Sequence, residues 1–228
     1  MKHSNGKQEL LAGTALLIGF AVWTVLIMEV DVQAVGPRGT SVGFAGLNTW
    51  FHRLTGVHMG IYTVTDWLGL VPIAVCLGFG ILGIVQSIKR RNPFKADADL
   101  ILLGIYYVLV IFAYLFFEMV PINYRPVLIE GRLEASYPSS TTLLVLTVMP
   151  TLVFQASRRL KRGRLQSLIV GLSIVFSVFM AAGRMISGVH WLSDIAGSLI
   201  LSAGLYYTYK DTVLCVDQRH KGTSDGIS

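Results

Sequence analysis

The sequence predicts an all-α integral membrane protein, a six-transmembrane-helix bundle with an extracytoplasmic amphipathic helix between spans one and two. Three observations carry this reading. The 228 residues are 53% hydrophobic and only 14% charged, whereas soluble domains carry about a quarter charged residues. Apolar runs of about 20 residues, enough to cross the hydrocarbon core of a bilayer, recur along the chain. The basic residues between those runs fall mostly on alternate connectors.

The spans are expected at 10–28, 68–88, 100–120, 141–157, 165–186 and 191–209, each closed by charge, Gly or Pro. The first is read as a retained span rather than a cleaved leader, because no small-x-small site follows it and Glu29 and Asp31 do. A closed helical bundle follows, since each backbone amide in hydrocarbon needs a partner within its own segment. Residues 1–209 form one domain and 210–228 a polar, poorly ordered cytoplasmic tail. Between spans one and two runs a long connector from Glu29 to Trp67. In it Phe44, Leu47, Trp50, Phe51 and Leu54 recur at helical spacing, which predicts a helix lying on the membrane surface.

One set of connectors holds Lys2 and Lys7, then Lys89, Arg90, Arg91 and Lys95, then Arg158, Arg159, Lys161, Arg162 and Arg164, and finally Lys210, Arg219 and Lys221. The other set holds only Arg38, Arg53, Arg125 and Arg132, with Arg184 near the end of span five. The positive-inside rule then places both termini in the cytoplasm, in a plasma membrane if the source is bacterial. The net charge of +6 is laid out as loop clusters between apolar runs, which does not point to a nucleic-acid partner. Cys76 and Cys215 form no zinc-type spacing, and no metal-ligand cluster stands out.

Three short segments on the predicted outer side carry chemistry. They are Tyr124-Arg125-Pro126, Tyr137-Pro138-Ser139-Ser140-Thr141, and the stretch from Gly183 to Asp194 that contains Arg184 and His190. Two guanidinium groups, Arg125 and Arg184, match phosphate oxygens bidentately. Ser139 and Ser140 precede a helix start, where hydroxyls and free amides make an anion site. His190 and Asp194 are four residues apart, so on a helix they share a face. A carboxylate accepting one ring hydrogen leaves the other nitrogen free to attack. Singly, each has a plain structural role: a helix cap, a snorkelling cation, an interfacial histidine. Together, at one membrane depth, they make a nucleophile, its orienting carboxylate and an anion cradle.

These segments resemble the type 2 phosphatidic acid phosphatase family, which shares its core with vanadium haloperoxidases. The family pattern is Lys, six residues, Arg-Pro; then Pro-Ser-Gly-His; then Ser-Arg, five residues, His, three residues, Asp. Here the third part reads Gly183-Arg184, five residues, His190, three residues, Asp194, with its spacing intact. Arg125-Pro126 and Pro138-Ser139 match the other two parts, and the resemblance covers roughly residues 118–209. It implies that His190 attacks phosphorus, that Asp194 orients it, and that Arg125, Arg184 and Ser139–Ser140 hold the phosphoryl oxygens. It also implies no cofactor or metal, and a membrane lipid phosphate as substrate.

The departures fall at Glu118 for the Lys, Ser140 for the Gly, Thr141 for the acid His and Gly183 for the Ser. Glu118 and Thr141 are therefore auxiliary candidates. Three readings stay open. The substrate is an isoprenoid diphosphate whose leaving group needs little protonation; or another acid, Glu118 or His58, supplies the proton; or the site binds or transports a lipid phosphate without turnover.

Overall fold

The computed structural model describes residues 3–91 and 97–225. Lys2 and Lys95, two of the cations that set the orientation, lie outside the described residues, as do the side chains of Lys7 and Lys221. The order is α1 (His3–Glu29), a 3-10 turn (Pro37–Gly39), α2 (Ala45–Thr55), α3 (Met59–Leu68), α4 (Leu70–Lys89), α5 (Ala98–Met119), α6 (Ser140–Arg159), α7 (Arg164–Ile186) and α8 (Leu192–Asp225).

Among the described residues five stretches are long and apolar enough to cross a membrane: Glu9–Glu29, Met59–Lys89, Ala98–Met119, Ser140–Arg159 and Arg164–Ile186. Their outward faces present Ile18 and Val22 on α1, Ile81 and Ile84 on α4, Val108 and Phe112 on α5, and Leu168 and Leu172 on α7, all exposed. An apolar exterior of this extent needs hydrocarbon around it.

The second span begins earlier than expected. Gly69 takes right-handed helical angles (φ −59°, ψ −16°), so α3 continues almost unbroken into α4 and the helical path starts at Met59 rather than at residue 68. Residues 59–67 of the supposed connector, with Tyr62, Thr65 and Asp66 among them, thereby become helix.

α8 is not among the five apolar stretches, although a sixth span was expected over 191–209. Its polar residues are turned into the bundle: Ser193, Asp194, Ser198, Ser202 and Asp211 are all buried. The expected poorly ordered tail is instead helix to Asp225. Tyr209 and Val213 pack with Leu100, Leu103, Tyr106 and Val110 of α5, and Arg158 pairs with Asp217 at 2.7 Å.

That pair belongs to a cluster at the end of the bundle opposite the three segments. Asp97 accepts from Gln86, Arg90 and Arg159. Asp99 accepts from Arg158 at 3.2 Å and Arg159 at 2.8 Å. Part-exposed pairs contribute about 1 kcal/mol or less each, so the cluster sets register among α4, α5, α6 and α8 more than it adds stability.

α2 leaves Leu47, Trp50 and Leu54 exposed. Phe44 does not join them: it precedes the helix with φ 49° and stacks on Trp23 of α1, ring centroids 5.1 Å apart. Asn48, fully buried on the opposite face, donates to Ser193 Oγ and accepts from the Ser193 amide. α2 is thereby bolted to the start of α8.

Candidate active site

The first two segments are brought side by side by a hairpin. Glu130 (φ 49°) and Gly131 (φ 76°) occupy two successive left-handed positions, the signature of a tight two-residue reversal. Ile129 pairs with Arg132, and Tyr124 with Ala135. The Arg125 amide donates to the Glu134 carbonyl and the Ser136 amide to the Asn123 carbonyl. The returning strand is then pinned to α8. Tyr137 stacks on Phe20, shares a hydrogen with Thr24 at 2.7 Å, and occupies the space above Gly197, where a Cβ would lie 2.4 Å from its ring. Ser198 donates to the Ser139 carbonyl. Ser136 is thus set against His190 and Asp194.

His190 does not share a helix face with Asp194. It sits in the connector before α8, whereas Asp194 lies in the first turn. The two are joined through Ser136. The Ser136 hydroxyl donates to Asp194 Oδ2 and stands 3.1 Å from His190 Nδ1, and the Ser136 carbonyl is 3.2 Å from the same nitrogen. The hydroxyl hydrogen is committed to Asp194 and the carbonyl can only accept, so Nδ1 carries the ring hydrogen. Nε2 is left unprotonated, its lone pair turned toward Arg184. Asp194 also accepts from Asn123 at 3.1 Å and from the Trp191 amide at 3.0 Å. The latter is a helix-capping bond reaching back to the residue before α8. Burial, then the charges of Arg125 and Arg184, hold the His190 pKa well below the ordinary imidazole range. The ring is a neutral base at pH 7.

Arg184 is the largest fully buried side chain among the described residues. Its Nη2 lies 3.4 Å from His190 Nε2, and its Nη1 lies 3.5 Å from Asp66 Oδ1. Arg184 and Arg125 both stand over the ring of Tyr62, at 4.9 and 5.7 Å. Arg125 meets Glu134 through Nε at 3.1 Å, without hydrogen-bond geometry. Its Nη1 and the Nε of Arg184 are buried with no hydrogen-bond partner. Two like charges, desolvated and incompletely paired, are costly unless an anion joins them.

The remaining sequence candidates are placed less uniformly. Ser139 directly precedes α6, but its hydroxyl turns to Thr142 at 3.0 Å and its amide faces the Asp194 carbonyl at 3.4 Å. It is committed within the scaffold. Ser140 and Thr141 line an apolar groove of about 810 Å³ between α4, α5 and α6, with Asp66 and Gly69 at the same end. Glu118 is exposed and lines a small cavity beside Tyr137 and Ser140. Sequence reading missed Ser136, Asn123, Tyr62 and Asp66. Asn123 and Ser136 each stand one residue ahead of a recognised segment, while Tyr62 and Asp66 lie far from any.

The connector bearing His190 depends on Gly188, which has φ 68°, and a Cβ there would lie 2.0 Å from the Gly56 carbonyl oxygen. The His58 amide donates to Ser187 and His52 Nε2 meets the Gly188 carbonyl at 3.1 Å, so neither backbone can retreat freely. Gly188→Ala is expected to destabilise the protein by more than about 2 kcal/mol. A lowered thermal midpoint in detergent, read by near-UV circular dichroism, checks this.

Comparison with known proteins gives a solved fold and a family. A crystal structure described as the first transmembrane PAP2 type phosphatidylglycerolphosphate phosphatase from Bacillus subtilis matches with a TM-score of 0.54 at 16% identity, covering 91% of this chain and 96% of that one. At that identity the likeness is one of fold. None of the curated proteins compared matches this chain. The model of the PAP2 superfamily matches residues 100–213, which take in all three segments, and the chain belongs to that superfamily.

Proposed function

We propose that this is a membrane lipid phosphatase that releases phosphate from a lipid mono- or diphosphate through a phosphohistidine on His190, without a metal ion. The observation that carries it is the pair of buried, under-partnered guanidinium groups flanking a neutral imidazole whose unprotonated Nε2 faces Arg184 Nη2 at 3.4 Å. Arg125 and Arg184 hold the non-bridging oxygens and neutralise charge as it gathers on them. Nε2 attacks phosphorus, the oxygen bearing the lipid departs, and water then cleaves the P–N bond to give inorganic phosphate. Asp194 acts through Ser136, which keeps the ring hydrogen on Nδ1. Ser140 adds a hydroxyl at the groove end, and the groove itself suits an apolar tail. An isoprenoid diphosphate is slightly favoured, because Thr141 stands where the family pattern has its acid histidine and a phosphate leaving group is a weak base.

α8 supplies the sixth crossing in this reading, its polar residues turned inward. Both termini are then cytoplasmic, the site opens at the outer face of the plasma membrane, and α2 lies along that surface. Purified protein in detergent with a chelator present is expected to release phosphate from isoprenoid diphosphate or phosphatidate. It is also expected to trap an acid-labile label from ³²P-substrate that maps to His190. Saturable lipid-phosphate binding with neither release nor label would instead make it a binding or transport protein of the same fold.

A further inference from the structure

Resting on that reading, we infer that Asp66 is the general acid, donating its proton to the leaving oxygen in place of the histidine that Thr141 replaces. Two departures from the family pattern coincide in space. Gly183 is where α3 approaches α7: a Cβ there would lie 2.7 Å from Thr65 Cγ2. Thr141 is where the α3–α4 junction approaches α6: a Cβ on Gly69 would lie 3.4 Å from Thr141 Cγ2. The two small substitutions thus flank a helix carrying an acid. α3 occupies the room they leave and delivers Asp66 to Arg184.

The leaving oxygen is constrained from both sides. It is bonded to the phosphorus, which the guanidinium groups hold, and to the lipid, whose tail the apolar groove takes. It must therefore lie where groove and guanidinium meet. Asp66 is at that junction: it lines the groove and its Oδ1 is 3.5 Å from Arg184 Nη1. Arg184 turns its other terminal nitrogen to His190, so nucleophile and acid address the same phosphoryl group from different nitrogens of one fork. Ser140 and Thr141, which line the same groove, have no acidic proton. The rival acids are placed worse. His58 Nε2 is engaged with the Thr55 carbonyl at 2.8 Å, and Glu118 pairs with neither guanidinium.

In the first step the His190 Nε2–P bond forms, the P–O bond to the lipid breaks, and the Asp66 proton moves to that oxygen. In the second, the carboxylate takes a proton from water as the water oxygen bonds to phosphorus and the P–N bond breaks. Phosphate, neutral His190 and protonated Asp66 are restored. With an acid in place, alkyl monoesters, whose alkoxide needs the proton, become substrates alongside diphosphates.

The test compares leaving groups. Asp66→Asn is expected to lower kcat/KM on phosphatidate by about 10²- to 10⁴-fold while changing that on 4-nitrophenyl phosphate, whose leaving group departs unprotonated, by no more than a few-fold. Asp66→Glu should recover part of the loss. Equal losses on both substrates would reduce Asp66 to a binding or structural contact and overturn the assignment. So would undiminished phosphatidate turnover. Wild-type protein with no release from any phosphate ester would sink the phosphatase reading itself, a result distinct from His190-dependent release that ignores Asp66.

Discussion

His190→Ala is expected to lower phosphate release by at least about 10⁴-fold, because it removes the neutral imidazole nitrogen set against Arg184. The loss should fall on turnover, with affinity for a lipid phosphate largely kept, since Arg125 and Arg184 remain. Stopped assays for release and equilibrium binding of labelled lipid separate the two. The wild-type acid limb should also lie below the usual imidazole range. A histidine whose folded pKa is lowered stays neutral as pH falls through about 6.5, and loses its lone pair only further down. Following the ring by ¹⁵N resonance in detergent checks that directly, free of the substrate's own phosphate titration.

Arg184→Met carries the second large effect, with opposite signs for activity and stability. kcat/KM is expected to fall by about 10²- to 10³-fold, the loss typical of removing one preorganised stabiliser of developing negative charge. The empty protein should nevertheless melt higher, by about 1 kcal/mol or more. Arg184 is buried, its Nε has no partner, Arg125 shares Tyr62 with it, and its nearest carboxylate, on Asp66, is 56% exposed. Replacing a poorly compensated buried ion with an apolar chain of similar volume is commonly neutral or stabilising. Inorganic phosphate should raise the melting point of the wild type and leave that of the variant unmoved. A lower melting point for the variant would mean that the guanidinium is better satisfied than its contacts imply.

Much of the bundle could be read from composition and run length, because hydrocarbon demands long apolar helices whatever their neighbours. The starts of α5, α6 and α7 were readable within two residues for that reason. α3 was not. Tyr62, Thr65 and Asp66 break the apolar run, and their helical state is secured by packing on α7 rather than by local pattern. Within the site, the spacing of Arg184, His190 and Asp194 was visible because it is local. The relay through Ser136 was not, since it arises from a hairpin whose only sequence mark is Glu130-Gly131. Nor was the placing of Asp66, which lies 118 residues from Arg184 in the chain. Ser139 looked like part of an anion cradle because helix starts often are. Its hydroxyl went to Thr142 once α8 closed over it.

The cluster around Asp97 and Arg159 bears on how a lipid arrives. It fastens the groove walls together at the end away from His190, where Gln86 of α4, Arg90 just past its end, Asp97 ahead of α5 and Arg159 of α6 share one knot. A tail entering from that leaflet would have to untie it. One sliding sideways between α4 and α5 in the opposite leaflet would not. In the proposed orientation, the headgroups within reach are those of the leaflet that holds the guanidinium pair, and a lipid made on the other side would have to be flipped first.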